Sequence, residues 1–341
     1  MYHMYRVMAF SFLMFLVVGA SSAFQTKFIP FTSSTSRSYS IDISENTQRD
    51  VSQLVEWASN CGMQVSDCYS LRSDDGGYDV YATTNQDLPA DSPIVCIPNN
   101  IILTGSRARE ELGGDGAENA LQLSDHNTFY LFIKILKEWE LGEQSMYYTW
   151  LNSLPRYFSN GSSMTDFCFG CLPPYAGELA LAEKKRMEQF VQSLAHVSVL
   201  GPDTKSNTEL IKWAFNVVFT RIMMLPNGDY CIAPLADMFN HSGDISEVLI
   251  SYDDDGNCYA YSTRDIQAGS PLRICYDDPT NPSRLLAKYG FLDESSPATF
   301  CKYVISNPTE EVYSLGYPSS IKYGFLPRRR YIGLSLGYSS I

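Results

Sequence analysis

The residues with the richest chemistry end the run Ala233-Pro234-Leu235-Ala236-Asp237-Met238-Phe239-Asn240-His241-Ser242. Asn240 and His241 put an amide, an imidazole and adjacent backbone groups in one short segment. This donor and acceptor set suits the edge of a purine and needs no phosphate-binding loop. The competing reading is that His241 satisfies buried backbone groups. Asp237, three residues earlier, either orients a substrate or braces the loop. Other candidate centres are weaker. Cys168 and Cys171 form one C-x-x-C, but a closed zinc site needs further ligands and no second pair or nearby His-x-x-His supplies them. Asp253-Asp254-Asp255-Gly256 lacks the full ligand loop and terminal Glu of a calcium site, and reads as a solvated turn. Asn160-Gly161-Ser162 is a glycosylation sequon, of consequence only in the secretory lumen.

The decapeptide resembles a motif of the SET-domain protein methyltransferases, within them the branch typified by the Rubisco large-subunit lysine methyltransferase, which carries a helical insertion inside the SET domain. Further matches flank it in the family's order. They are Trp213-Ala214-Phe215 through Thr220-Arg221, Asp265-Ile266-Gln267-Ala268-Gly269, Ile274-Cys275-Tyr276-Asp277, Asn281 and Tyr289-Gly290-Phe291. Weaker similarity covers Tyr148-Thr149-Trp150-Leu151 to Leu154-Pro155 and the start at Gly76 to Thr83, so that the resemblance spans residues 51–297.

The resemblance implies an α+β fold, a β-rich SET domain of small sheets with a knot-like C-terminal crossing and a helical insertion. It implies S-adenosyl-L-methionine as cofactor and transfer of its methyl group to a side-chain nitrogen of a protein substrate, with lysine as the target. By the same resemblance Asn240 and His241 contact the cofactor and Arg221 lies close to it. The backbone of Gly76, Gly77 and Tyr78 lies against it, where a missing Cβ permits close approach. Tyr276 is the implied catalytic residue, its hydroxyl at the methyl-transfer junction; Tyr289 lines the lysine channel and Asp237 is placed at the substrate. The plain alternative is that both tyrosines are ordinary aromatics in a chain with 23 of them.

The chemistry explains why such residues are needed. Displacement at a sulfonium methyl requires a lone pair on the attacking nitrogen, whereas free lysine has a pKa near ~10.4 and is mostly charged at neutral pH. A narrow aromatic channel favours the neutral amine by desolvation and holds nitrogen, methyl and sulfur in line at roughly 3–3.5 Å. No metal is required. Two positions depart from the family pattern: Asp79 replaces a glycine near the cofactor, and Ser270 replaces an acid after Ala268-Gly269. The competing functions are protein-histidine methylation, as in an actin-modifying relative, and a SET-like binding protein without catalysis.

The elements that position these residues follow from periodicity. Thr47 and Asp50 are placed as a capping box for a helix whose apolar face is Val51, Leu54, Val55 and Ala58, with Gly62 to end it. Residues 78–83 and 93–97 are β-rich runs around the turn Asp87-Leu88-Pro89-Ala90-Asp91, predicted to pair with each other. Helical patterns over residues 127–141, 177–197 and 208–224 predict the insertion, at about residues 110–224. Residues 247–252 and 257–263 flank the Asp-Gly turn as a hairpin, residues 272–276 form a strand and residues 284–289 a short helix.

Composition bounds the rest. The 341 residues carry a formal charge of −13 and a sequence pI of about 4.7, which disfavours nucleic acid and suits a basic, lysine-bearing protein. Arg6, the apolar stretch of residues 7–19 and Ala20-Ser21-Ser22-Ala23 read as a signal peptide over residues 1–23. Residues 24–46 begin with Phe24 and are rich in Ser and Thr, so they read as a transit segment, together resembling the bipartite leader of algae with secondary plastids. Simple secretion is the alternative. The apolar stretch is too short for a membrane anchor, so no stable anchor is expected after cleavage. Residues 47–297 are the expected SET domain, and residues 298–341 a short tail, the family's C-terminal helical substrate-binding domain being either missing or truncated. That tail holds Arg328-Arg329-Arg330 and an imperfect repeat, Ser314-Leu315-Gly316-Tyr317 recurring as Ser335-Leu336-Gly337-Tyr338.

Overall fold

The computed structural model describes residues 41–73, 79–113, 126–243, 246–276 and 282–293, and the backbone of 300–304 and 323–327. Residues 1–40 of the leader, Gly76, Gly77, Tyr78, Asp277, Asn281, Arg328-Arg329-Arg330 and the tail repeat lie outside the described residues.

Small sheets and a helical block build the fold. Helix α1 (Leu54–Asn60) is followed by β1 (Gln64–Val65), β2 (Tyr69–Arg72), β3 (Tyr81–Thr84), β4 (Pro93–Ile97) and β5 (Leu103–Thr104). Then come α2 (Gly105–Leu112), α3 (His126–Leu141), α4 (Tyr148–Ser153), α5 (Asp166–Cys171), α6 (Pro174–Ser193), α7 (Pro202–Ser206) and α8 (Thr208–Arg221). The chain returns to strands in β6 (Met223–Met224), β7 (Tyr230–Ile232), β8 (Asn240–His241), β9 (Val248–Tyr252), β10 (Cys258–Ser262) and β11 (Arg273–Ile274). Helix α9 (Pro282–Tyr289) and the pair β12 (Phe300–Val304) and β13 (Tyr323–Pro327) complete it. This is a mixed fold of helices and small, mainly antiparallel sheets.

The main sheet has the order β1-β4-β10-β9, and β5-β7-β6 forms a second. Helices α2 to α8 intervene between β5 and β6, two strands of the same small sheet. Their core is aromatic: Phe190 meets Phe129 edge-on at 5.1 Å, and Phe215 stacks on Phe219 at 4.2 Å. Such pairs contribute beyond the area they bury. No described helix is long and apolar enough to cross a membrane. No disulfide joins the described cysteines, and no group of metal-binding side chains occurs among the described residues.

Several local expectations hold. The hairpin forms with Cys258 opposite Tyr252 and Ser262 opposite Val248. Gly62 ends α1 at φ +84°, where an L side chain would be strained. Others are corrected. The Thr47 and Asp50 capping box does not form: α1 starts at Leu54 and has no side-chain cap. The Asp50 carboxylate instead accepts from the Ser52 amide at 2.9 Å, and the Thr47 hydroxyl donates to Asp42 at 2.8 Å. Short polar side chains offered local turns and took them.

The predicted pairing of residues 78–83 with 93–97 is also wrong. β3 pairs with β2, whereas β4 pairs with β1 and β10. The connection between β3 and β4 runs beside residues 266–271, through the bridges Leu88 to Ile266 and Thr83 to Pro271, and turns at Asp91 with φ +60°. The predicted helix over 208–224 stops at Arg221, because Met223 pairs with Cys231 in a sheet. The predicted strand over 272–276 forms a ladder only at Arg273–Ile274.

The sequon has a structural use. Asn160 is 3% exposed; its amide donates to Asn216 Oδ1 at 2.7 Å and the Lys288 carbonyl at 2.8 Å, and its oxygen accepts from Ser162 at 2.7 Å. These bonds tie residues 160–162, α8 and the end of α9 together, one residue before Tyr289. Asn160→Ala is expected to cost about 2–3 kcal/mol in urea unfolding, because it strands buried polar partners. Folded protein secreted from a glycosylating host should be unmodified at Asn160 by mass spectrometry. A glycan on protein of wild-type stability would refute this role.

Candidate active site

The site begins with a strained turn. Leu235 is buried at φ +78° and ψ −42°, close to a γ-turn, a conformation that costs on the order of 1–3 kcal/mol for a residue with a Cβ. Asp237 holds it: Oδ1 accepts from the Leu235 amide at 3.0 Å, and Oδ2 accepts from Trp150 Nε1 at 3.1 Å and Arg221 Nη1 at 3.0 Å. Arg221, the last residue of α8, also donates to the Asp237 carbonyl at 2.6 Å. The Asp237 carboxylate is fully shielded from solvent, and this burial raises its pKa despite the nearby guanidinium. Its contacts brace the loop.

After the turn, β8 lies parallel to β11, Asn240 opposite Arg273 and His241 opposite Ile274. This pairing brings the chain's two chemistry-bearing segments side by side. Residues 277–281, further along the chain, lie outside the described residues. Tyr276 follows β11 and is held at two points. Its amide donates to His241 Nδ1 at 3.1 Å, and its hydroxyl donates to the Phe239 carbonyl at 2.8 Å. Burial is the main cause that pushes the Tyr276 phenol up to about 12. The Tyr289 ring lies 4.8 Å from that of Tyr276, and Phe291 is 6.1 Å beyond Tyr289.

These groups face one cavity of about 890 Å³, lined by Arg49, Arg221, Asp237, Asn240, Tyr276 and Tyr289 among others. This volume suits a nucleotide-sized ligand. Of the predicted residues, Arg221, Asp237, Asn240, Tyr276 and Tyr289 converge there. His241 does not line it; its ring is 4% exposed and packs between Tyr276 at 5.3 Å and Phe291 at 5.6 Å. The Asn240 amide donates to the Val80 carbonyl at 3.3 Å. Asp79 is exposed, and its charge acts on both Arg49 and Tyr276.

One further residue lines the cavity and two pack on residues at or beside it, and none carries a mark in the sequence that singles it out. Arg49 lines the cavity, and burial, with the Arg221 charge next, lowers its guanidinium pKa to about 10. Tyr69 is buried edge-on to Phe239 at 5.9 Å, its hydroxyl without a hydrogen-bond partner among the described residues. Asp293 lies 3.3 Å from His241 Nε2. None sits in a recognisable pattern; only Asp293, two residues past Tyr289-Gly290-Phe291, is within reach of a motif.

The two guanidiniums of Arg49 and Arg221, the latter with its buried Nε without a hydrogen-bond partner among the described residues, suit a carboxylate, which a methionine moiety carries. The aromatic wall of Tyr276 and Tyr289 suits a cationic or desolvated amine. The cavity therefore combines cationic groups suited to a carboxylate with aromatic rings suited to an amine.

No family model matches the chain. It is 22% identical over 256 residues to the actin-histidine N-methyltransferases of Rattus norvegicus and Mus musculus, across 71% of this chain and 42% of each relative. The chain thus spans less than half the length of these curated relatives. Among solved structures it is similar to the SET domain of LSMT bound to lysine and AdoHcy. That match has a TM-score of 0.59 and 14% identity, over 80% of this chain and 65% of the other. Rubisco LSMT bound to sinefungin and monomethyllysine matches at 0.59 and 12% identity, over 80% and 64% of the two chains. The fold is that of the SET domain.

Proposed function

We propose that the chain is an S-adenosylmethionine-dependent protein methyltransferase acting on a side-chain nitrogen, with lysine as the target. The observation that carries this reading is one cavity joining the Arg49 and Arg221 guanidiniums to the Tyr276 and Tyr289 rings. Bound adenosylmethionine would supply an electrophilic methyl group on a sulfonium. Arg49 and Arg221 hold the ligand's carboxylate, and Asn240 presents amide and backbone groups to its purine. Tyr276 and Tyr289 desolvate the incoming amine and restrict its approach. Tyr276 stays a phenol, so it orients without taking the proton; the nitrogen arrives neutral.

Calorimetry with S-adenosylhomocysteine on the full chain tests the cofactor. Binding is expected, and Asn240→Ala should weaken it by more than ~1.5 kcal/mol, the cost of a lost buried hydrogen-bonding group. His241→Ala should weaken it too, by loosening Tyr276 and β8. Unchanged affinity in both folded variants would remove the assignment and favour a binding protein of other specificity. The named relatives favour histidine as the second reading. Mass spectrometry of a labelled protein extract, which locates the methylated residue, separates the two. The acidic body is matched to a basic protein partner rather than nucleic acid.

We also propose delivery to a plastid through the leader. Residues 1–40 fused to a fluorescent protein should reach the stroma of an alga with secondary plastids, and Phe24→Ala should stop it short. Export from the cell would establish secretion instead.

A further inference from the structure

His241 stands behind the cavity wall, and its contacts define a proton position. Nδ1 accepts the Tyr276 amide at 3.1 Å, so that nitrogen carries no hydrogen. The proton of the neutral ring then sits on Nε2, which faces Asp293 Oδ2 at 3.3 Å. The seat of that carboxylate is built. A Cβ on Gly243 would lie 2.0 Å from Asp293 Oδ2 and 3.6 Å from His241 Nε2. The Asp293 side chain is 11% exposed, and Phe291 packs against the imidazole at 5.6 Å.

We propose that Asp293 is a positioning residue: through His241 it holds the Tyr276 backbone against β8, and Gly243 is glycine because the Asp293 carboxylate occupies the place of a Cβ. A negative charge beside Nε2 stabilises the tautomer protonated there. Without it the ring gains access to the Nδ1-protonated form, which sets donor against donor at the Tyr276 amide and releases it. The displacement reaches the cavity directly, because Tyr276 and Asn240 both line it. That Tyr276 then orients a reacting amine rests on the proposed methyl transfer; the clamp itself does not.

The chain has four histidines, so long-range imidazole proton–nitrogen spectra of the full protein are simple, and His241→Gln assigns the His241 signals. Wild type should show His241 with the proton on Nε2, and Asp293→Asn, whose amide oxygen still accepts, should retain it. Asp293→Ala and Gly243→Ala should each raise the Nδ1-protonated form and shift the Tyr276 amide resonance, and should weaken S-adenosylhomocysteine about tenfold, as expected for one lost charged contact. A wild-type proton on Nδ1, or an Asp293→Ala protein with tautomer and Tyr276 amide unchanged, overturns the proposal. If Asp293→Ala does not fold, Gly243→Ala decides it by the same two resonances. If wild type binds no S-adenosylhomocysteine while the spectra behave as stated, the cofactor reading fails and the clamp stands.

Discussion

Tyr276→Phe is expected to cut turnover on a protein substrate by on the order of a hundredfold or more, while S-adenosylhomocysteine affinity stays within about tenfold of wild type. Tyr276 is fixed at two points, its hydroxyl donating to the Phe239 carbonyl and its backbone amide to the His241 imidazole, so loss of the hydroxyl alters alignment rather than folding. Loss concentrated in turnover is the signature of an interaction made chiefly in the transition state. The pH profile adds an independent reading. Because the phenol is held up at about 12, it does not titrate in the neutral range, and any rise in rate there reports the substrate nitrogen. A lysine target, with a free pKa near ~10.4, should give a rate still rising through about pH 8. A histidine target, near ~6.5, should level off by about pH 7.5. Single-turnover assays with labelled cofactor across that range decide between them. Wild-type turnover in Tyr276→Phe would end the catalytic assignment without touching the fold.

The SET fold was legible through the motif resemblance; what residue periodicity made legible beside it was local. The hairpin of β9 and β10 is written in Asp-Gly turn chemistry and alternating apolar residues, and α3 in a stripe of buried positions such as Phe129, Phe132 and Leu136. The decapeptide around Asn240 was legible because it resembles a long, contiguous family motif, and Asn-His by itself would not have marked it. The partners of β3 and β4 were not, since sheet order depends on residues far apart: β4 pairs with β10, more than 150 positions later. The two-residue pairing of β8 with β11 is too short to leave a periodic signal. Arg49, Tyr69 and Asp293 reach the site from scattered segments, and a lone Arg before a helix or a lone Tyr in a strand has no local mark. His241 shows a further limit. The resemblance implied ligand contact while the residue alone allowed it to satisfy buried backbone; its imidazole accepts from the Tyr276 amide, a partner 35 positions away that the sequence could not name.

Asp237→Ala is expected to cost about 3–5 kcal/mol of stability, the range for breaking a buried ion pair by removing one partner. Arg221 keeps only 10% side-chain exposure and would retain its charge without its carboxylate. The Leu235 amide and Trp150 Nε1 would lose their acceptors as well, and the γ-turn would lose the bond that offsets its strain. Asp237→Asn keeps an oxygen to accept from the turn or from Trp150, so about half the loss is expected. The pH dependence has a defined sign. Burial raises the Asp237 pKa in the folded state, so folded protein holds this proton more tightly than unfolded protein does. As pH rises from the ordinary carboxylate value through the folded value, the unfolded state ionises first and the contribution of Asp237 to stability falls. Urea unfolding of wild type and Asp237→Asn across about pH 4 to 8 isolates the effect, because the amide does not titrate and removes that part of the slope. A wild type that gains stability over this window relative to Asp237→Asn would mean that the Arg221 attraction outweighs desolvation. In that case Asp237 is a net stabilising ion-pair partner, and not a carboxylate retained at a cost to hold the turn that aims Asn240.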